Sequence, residues 1–67
     1  MTTQELSRAI PPFDLRADHQ PFTYRVIGLD RPGERVWLVM LKGKDQVPTG
    51  TVIEWPFRAC KEMVRKK

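Results

Sequence analysis

From Phe22 to Val26 the chain alternates: Phe22, Tyr24 and Val26 fall on one side, Thr23 and Arg25 on the other. That period of two is the mark of a half-buried strand and predicts one over about 22–29. Asp30-Arg31-Pro32-Gly33 follows. Pro32 presets φ at the second turn position and Gly33 permits positive φ at the third, so a type II turn is expected from Arg31 to Glu34. The next segment, about 35–42, holds six consecutive apolar residues, Val36 to Leu41, and reads as a central strand covered on both faces. Residues 42–50 are polar with Gly and Pro turn signals and read as a loop; 51–55 read as a third strand.

The last dozen residues suggest an amphipathic helix over about 56–66. Pro56 suits the first helical position, where its missing N–H needs no partner. Phe57, Cys60, Met63 and Val64 form an apolar stripe, with Arg58, Lys61 and Arg65 on the outer side. Arg58–Glu62 and Glu62–Lys66 add i, i+4 pairs. At the other end, Thr2 and Glu5 have capping-box spacing, and Leu6, Ala9 and Ile10 make an apolar stripe for a short helix over 2–10. Pro11 and Pro12 stop it. Residues 11–21, punctuated by Pro21, read as irregular, with Phe13 and Leu15 anchoring them across the sheet.

These elements predict an α+β fold: a three-stranded antiparallel meander (22–29, 35–42, 51–55) with the C-terminal helix packed on one face. Residues 1–67 make a single small domain, with 1–21 as a partly irregular N-terminal arm. The alternative is a small SH3-like β-barrel drawing extra short strands from 11–20 and 43–49. One helix covers one sheet face, so the other needs the arm, a second copy or a ligand.

Composition narrows the chemistry. Cys60 is the sole cysteine and His19 the sole histidine, which leaves no disulfide and no ordinary zinc site. The apolar share of 40% supports a small core rather than disorder. No secretory leader is evident, and the longest apolar run, six residues, is too short to span a bilayer. A lone thiol then suggests the cytoplasm and no membrane partner. Cys60 sits on the apolar stripe as a small hydrophobe, His19 in the arm, and Asp14 and Asp18 four apart between prolines; none forms a nucleophile–base or acid–base arrangement. Gly28, Gly33, Gly43 and Gly50 make no phosphate-cradling motif. A non-catalytic protein without a cofactor is the expectation.

Charge supplies the functional lean. Residues 1–34 carry net −1 and residues 35–67 net +5, within a total of +4. Five of the twelve Lys and Arg fall in the last dozen residues, although cations also suit a helix C-terminus for structural reasons. Arg25 and Arg35, on neighbouring strands, with Lys42 and Lys44 in the loop and Arg58, Lys61, Arg65, Lys66 and Lys67 on the helix, are the candidate nucleic-acid contacts. Tyr24 and Trp37 are candidates for base stacking if exposed. The order of three strands then a helix, with Gly33-Glu34-Arg35-Val36-Trp37-Leu38 in the second strand, loosely resembles plant AP2-type domains and the arm-binding domains of tyrosine recombinases. That resemblance spans about 22–67 and implies a sheet that reads the major groove; the Ala-rich helix usual in AP2 domains is missing. The expected function is a small DNA-binding accessory or regulatory protein. The alternative is a protein-interaction module, a phage- or mobile-element-type modulator that docks through an exposed sheet face or as a homodimer.

Overall fold

A computed structural model describes residues 1–17 and 21–66. Its elements are α1 (Thr3–Arg8), β1 (Phe13–Ala17), β2 (Thr23–Asp30), β3 (Arg35–Lys42), β4 (Val47–Pro56), a 3-10 turn (Phe57–Cys60) and β5 (Met63–Arg65). The strands form one antiparallel sheet in the order β4-β3-β2-β1-β5.

Side-chain alternation sorts the sheet into two faces. Phe13 and Leu15 of β1 lie opposite Val26 and Tyr24 of β2, which lie opposite Leu38 and Met40 of β3. Val36 and Leu38 continue to Trp55 and Ile53 of β4. These residues make the core face. Leu6 and Ala9 from α1, Phe57 and Cys60 from the 3-10 turn, and Met63 from β5 close over it. Tyr24 and Trp55 meet at 5.1 Å between ring centroids with planes tilted by 59°. Full burial of each large apolar side chain contributes roughly 1.5–3 kcal/mol, so this one layer carries the fold.

The meander with a packed C-terminal helix is overturned. The sheet has five strands, and residues 57–65 form a 3-10 turn followed by a strand. Phe57, Cys60 and Met63 are buried at a spacing of three, whereas Val64, the fourth member of the supposed stripe, is exposed. The Phe57–Cys60 spacing suits a 3-10 turn, in which residues i and i+3 eclipse, while Met63 is turned inward at the start of β5. An eleven-residue helix is also marginal without packing, and pairing with β1 satisfies backbone groups on both segments. Arg16↔Val64 and Ala17↔Met63 set that register, and Lys66 N–H donates to Asp14 C=O at 2.8 Å.

Residues 13–17, expected to be irregular, are β1: Phe13, Leu15 and Ala17 alternate with Asp14 and Arg16 between proline boundaries. The third strand begins at Val47 rather than 51, because Gly43 (φ 74°) and Gln46 (φ 54°) complete the reversal within four residues. Pro48 is tolerated because β4 is an edge. β1 and the start of β4 fall within 11–20 and 43–49, the ranges from which the SH3-like alternative draws its extra strands, and the five strands make one ladder that ends at β4 and β5, with no pairing joining those two among the described residues. With no terminal helix, the likeness to AP2-type and recombinase arm-binding domains loses its basis.

The Arg31–Glu34 reversal is present, closed by Glu34 N–H to Arg31 C=O at 3.2 Å, but it is not type II. The left-handed residue is Glu34 (φ 52°), not Gly33. Asp30 Oδ1 accepts from the Gly33 N–H at 3.2 Å, and a Cβ at Gly33 would lie 2.3 Å from Asp30 Oδ2, so a side chain there would push the Asp30 carboxylate off that bond.

At α1 both halves of the capping box form, Glu5 N–H to Thr2 Oγ1 at 3.1 Å and Thr2 N–H to Glu5 Oε1 at 3.0 Å. Ile10, expected on its stripe, is 78% exposed, because the helix ends at Arg8. The other end is held by Arg31, whose guanidinium donates to Ser7 C=O at 2.9 Å and Ala9 C=O at 2.6 Å. Thr2→Ala is expected to cost about 1 kcal/mol in chemical denaturation. The Thr2 backbone N–H, then its hydroxyl, hold Glu5 below the ordinary carboxylate value of 4.5. A depressed folded value stabilises above the unfolded one and is lost as pH falls through it. Glu5→Ala should therefore melt lower than the parent at neutral pH, with the gap closing on acidification below 4.5.

Candidate nucleic-acid interface

The cations are set by strand parity and by the α1/3-10 layer. Asp14 and Arg25 face each other across β1 and β2 on the side away from the core. Arg25 Nε donates to Asp14 Oδ1 at 2.9 Å, and this bond, then the carboxylate's charge, raises the guanidinium's pKa. Arg35, at the start of β3, lies 3.7 Å from Glu54 of β4. Arg25 and Arg35 do not converge: Arg25 pairs with Val39, four residues along β3 from Arg35, roughly 13 Å at strand spacing. A joint insertion of the two into a groove is not what the sheet builds.

Four open clefts share lining residues in succession, one against β1, β2 and β5 and three against the α1/3-10 layer. The first, about 400 Å³, is lined by Pro12, Phe13, Asp14, Arg25, Arg65 and Lys66. Arg65 is shared with the second, about 460 Å³, which adds Met1, Glu5, Arg8, Ala9, Met63 and Val64. Met1 leads to a third, about 190 Å³, with Thr2, Thr3, Phe57, Arg58 and Lys61. Thr3, Phe57 and Arg58 continue into the fourth, also about 190 Å³, with Gly33, Glu34, Arg35 and Pro56. Each cleft holds at least one Arg or Lys. The carboxylates along the belt are Glu5, Asp14 and Glu34, of which Glu5 is occupied by Thr2 and Asp14 by Arg25. Arg65 is braced by Phe13, its guanidinium carbon 4.9 Å from the ring centroid. Among the described residues, Arg8, Arg58, Lys61, Arg65 and Lys66 make no salt bridge.

The fold thus brings Arg25, Arg35, Arg58, Lys61, Arg65 and Lys66 onto one belt and leaves out Lys42 and Lys44. Those two flank the β3–β4 reversal, at the end of β3 opposite Arg35 and roughly 23 Å away along the strand. Arg8 joins the belt although the charge pattern of the second half did not point to it; its signal was the Leu6–Ala9 stripe, which docks α1 and carries Arg8 to β5. Arg58 and Lys61 sit on the 3-10 turn and the residue after it, not on a helix face. Of the candidate stacking residues, Tyr24 is buried in the core and Trp37 half-buried on the opposite face, its ring lying beside Gly28. His19, Asp18 and Lys67 lie outside the described residues. Among the described residues no group of three His, Cys, Asp or Glu could hold a metal ion, and no helix is long and apolar enough to cross a membrane.

Cys60 is fully buried in the core, and burial pushes its thiol above the ordinary value of 9.0. Its carbonyl accepts from the Met1 amino group at 2.9 Å; the Met63 carbonyl also accepts from that amine. The thiol should therefore resist alkylation in mildly alkaline buffer, and its labelling rate should rise with denaturant in step with unfolding measured by circular dichroism.

No protein-family model, curated protein or solved structure matches this chain.

Proposed function

We propose that the chain is a non-catalytic nucleic-acid-binding protein, with DNA the first target, that lays the phosphate backbone along the belt of linked clefts. The observation that carries this reading is continuity: neighbouring clefts share Arg65, Met1 or Arg58, and every one offers a cation. Open, linked grooves suit an extended polyanion better than a small ligand, which favours an enclosed, largely apolar cavity. The sequence pI of about 9.7 adds long-range attraction. A cytoplasmic location belongs to the same reading, supported by the lone thiol of Cys60.

The second reading is docking to a protein through the outer sheet face, where Trp37, Val39 and Leu41 of β3 adjoin Val52 of β4. Val39 and Leu41 are only 7% and 4% exposed, so that face offers less apolar area than the sequence pattern implies, and this reading ranks below the first.

Fluorescence anisotropy with short labelled duplex and single-stranded DNA tests the proposal. Four or five phosphate contacts should give a slope of about −4 for log affinity against log salt on duplex DNA. The triple variant Arg58→Glu, Lys61→Glu, Lys66→Glu is expected to lose on the order of a hundredfold in affinity at low salt while keeping its melting curve. Lys42→Glu with Lys44→Glu should change affinity little. Salt-independent binding, or equal losses from the two sets, would overturn the belt.

A further inference from the structure

We propose that the belt takes duplex DNA by its phosphate ridges alone, in preference to a single strand and without reading base sequence. This inference rests on the nucleic-acid reading above and names its substrate class.

A protein that holds single strands combines a basic groove with exposed aromatic faces on which successive bases stack. The belt has the groove without the faces. All of the chain's Phe, Tyr and Trp residues are among those described. Phe13 and Phe57 are the ones that line these clefts, and they are only 6% and 1% exposed. Phe13 also carries the Arg65 guanidinium against its ring. Tyr24 packs with Trp55 in the core layer, and Trp37 lies beside Gly28 on the opposite face. Phe22 is open, at 41% exposed, but lines none of the four clefts. A single strand crossing the belt would meet charge and find nothing to stack on.

Base readout needs a different surface. Base edges lie at the floor of a groove about 8.5 Å deep on the major side, so a reader must project into it. Clefts are recesses, and a recess receives a ridge. α1 does not project freely: it is six residues long, and Leu6 is fully buried beneath it. Three belt arginines are braced from within, Arg25 by Asp14 at 2.9 Å, Arg35 beside Glu54 at 3.7 Å, and Arg65 over Phe13. Of the amides that read adenine, the chain has no asparagine, and the Gln46 side chain donates to Gly43 C=O at 2.8 Å in the β3–β4 reversal, off the belt.

What the belt does offer is positive charge in linked recesses. Duplex DNA presents one negative charge per roughly 1.7 Å of axis with both strands counted, twice the density along either strand. A surface that binds through charge alone therefore favours the duplex.

Fluorescence anisotropy on the full chain tests this, using labelled probes of about 20 nucleotides per strand: two duplexes of equal composition and scrambled order, and an oligothymidine. The duplexes should bind about tenfold tighter than the single strand at low salt and match each other within about twofold. The gap should narrow as salt rises, because each duplex contact contributes about 0.9 to the salt slope and each single-strand contact about 0.7. Phe22→Ala should leave every affinity unchanged. A single strand that binds as tightly as the duplexes, a tenfold preference between the scrambled duplexes, or a loss of single-strand affinity in Phe22→Ala would overturn this inference and leave the nucleic-acid reading standing. Failure to bind any probe would overturn both.

Discussion

The pairing of Met63–Arg65 with β1 is the contact on which the rest of the molecule depends. It gives β1 a neighbour on each side and so locks a five-residue strand between two ladders. It draws the 3-10 turn over the sheet, setting Phe57 and Cys60 against Leu6 and Val36 in one buried cluster. It also carries Arg65 and Lys66 to the cleft that Arg25 enters from β2. Without that pairing the core loses part of its lid and the belt its central cation.

α1 is the other half of the lid, and a helix of six residues does not persist alone. Its ends are held by polar contacts of different origin, the local Thr2–Glu5 box and the long-range Arg31 guanidinium bonds to Ser7 and Ala9 carbonyls. The second set ties the β2–β3 reversal to the helix C-terminus, where a cation also meets the negative end of the helix dipole. Arg31 is thus structural, whereas Arg8, one residue after Ser7, is left facing the cleft beside β5. Two arginines of the acidic half divide between stability and the charged surface.

Charge density along the chain is a poor guide to charge density in space. Arg25 and Arg35 each acquire an acidic neighbour from an adjacent strand, a consequence of register rather than of sequence proximity. Arg58, Lys61, Arg65 and Lys66 stay together for a reason other than a helical face: a short turn and a short strand keep them near one end of the sheet. Lys42 and Lys44, close in sequence to the other basic residues, end at the far side because β3 is eight residues long.

The sequence alone determined what is local. The Thr2–Glu5 box, the reversal at Arg31–Glu34 and the apolar run of β3 rest on contacts within a few residues, and each is where the pattern put it. The alternation in Phe13–Ala17 was equally legible, but flanking prolines argued for a loop, and only a partner on either side makes five residues a strand. The C-terminal segment was ambiguous, because Phe57 and Cys60, three residues apart, fit a helical stripe as well as a 3-10 turn. Tertiary structure decided between them through the unpaired edge of β1, whose backbone groups gain more from a strand than from a neighbouring helix. It also decided which cations share a surface, since that follows from strand order and register, quantities that no local window contains.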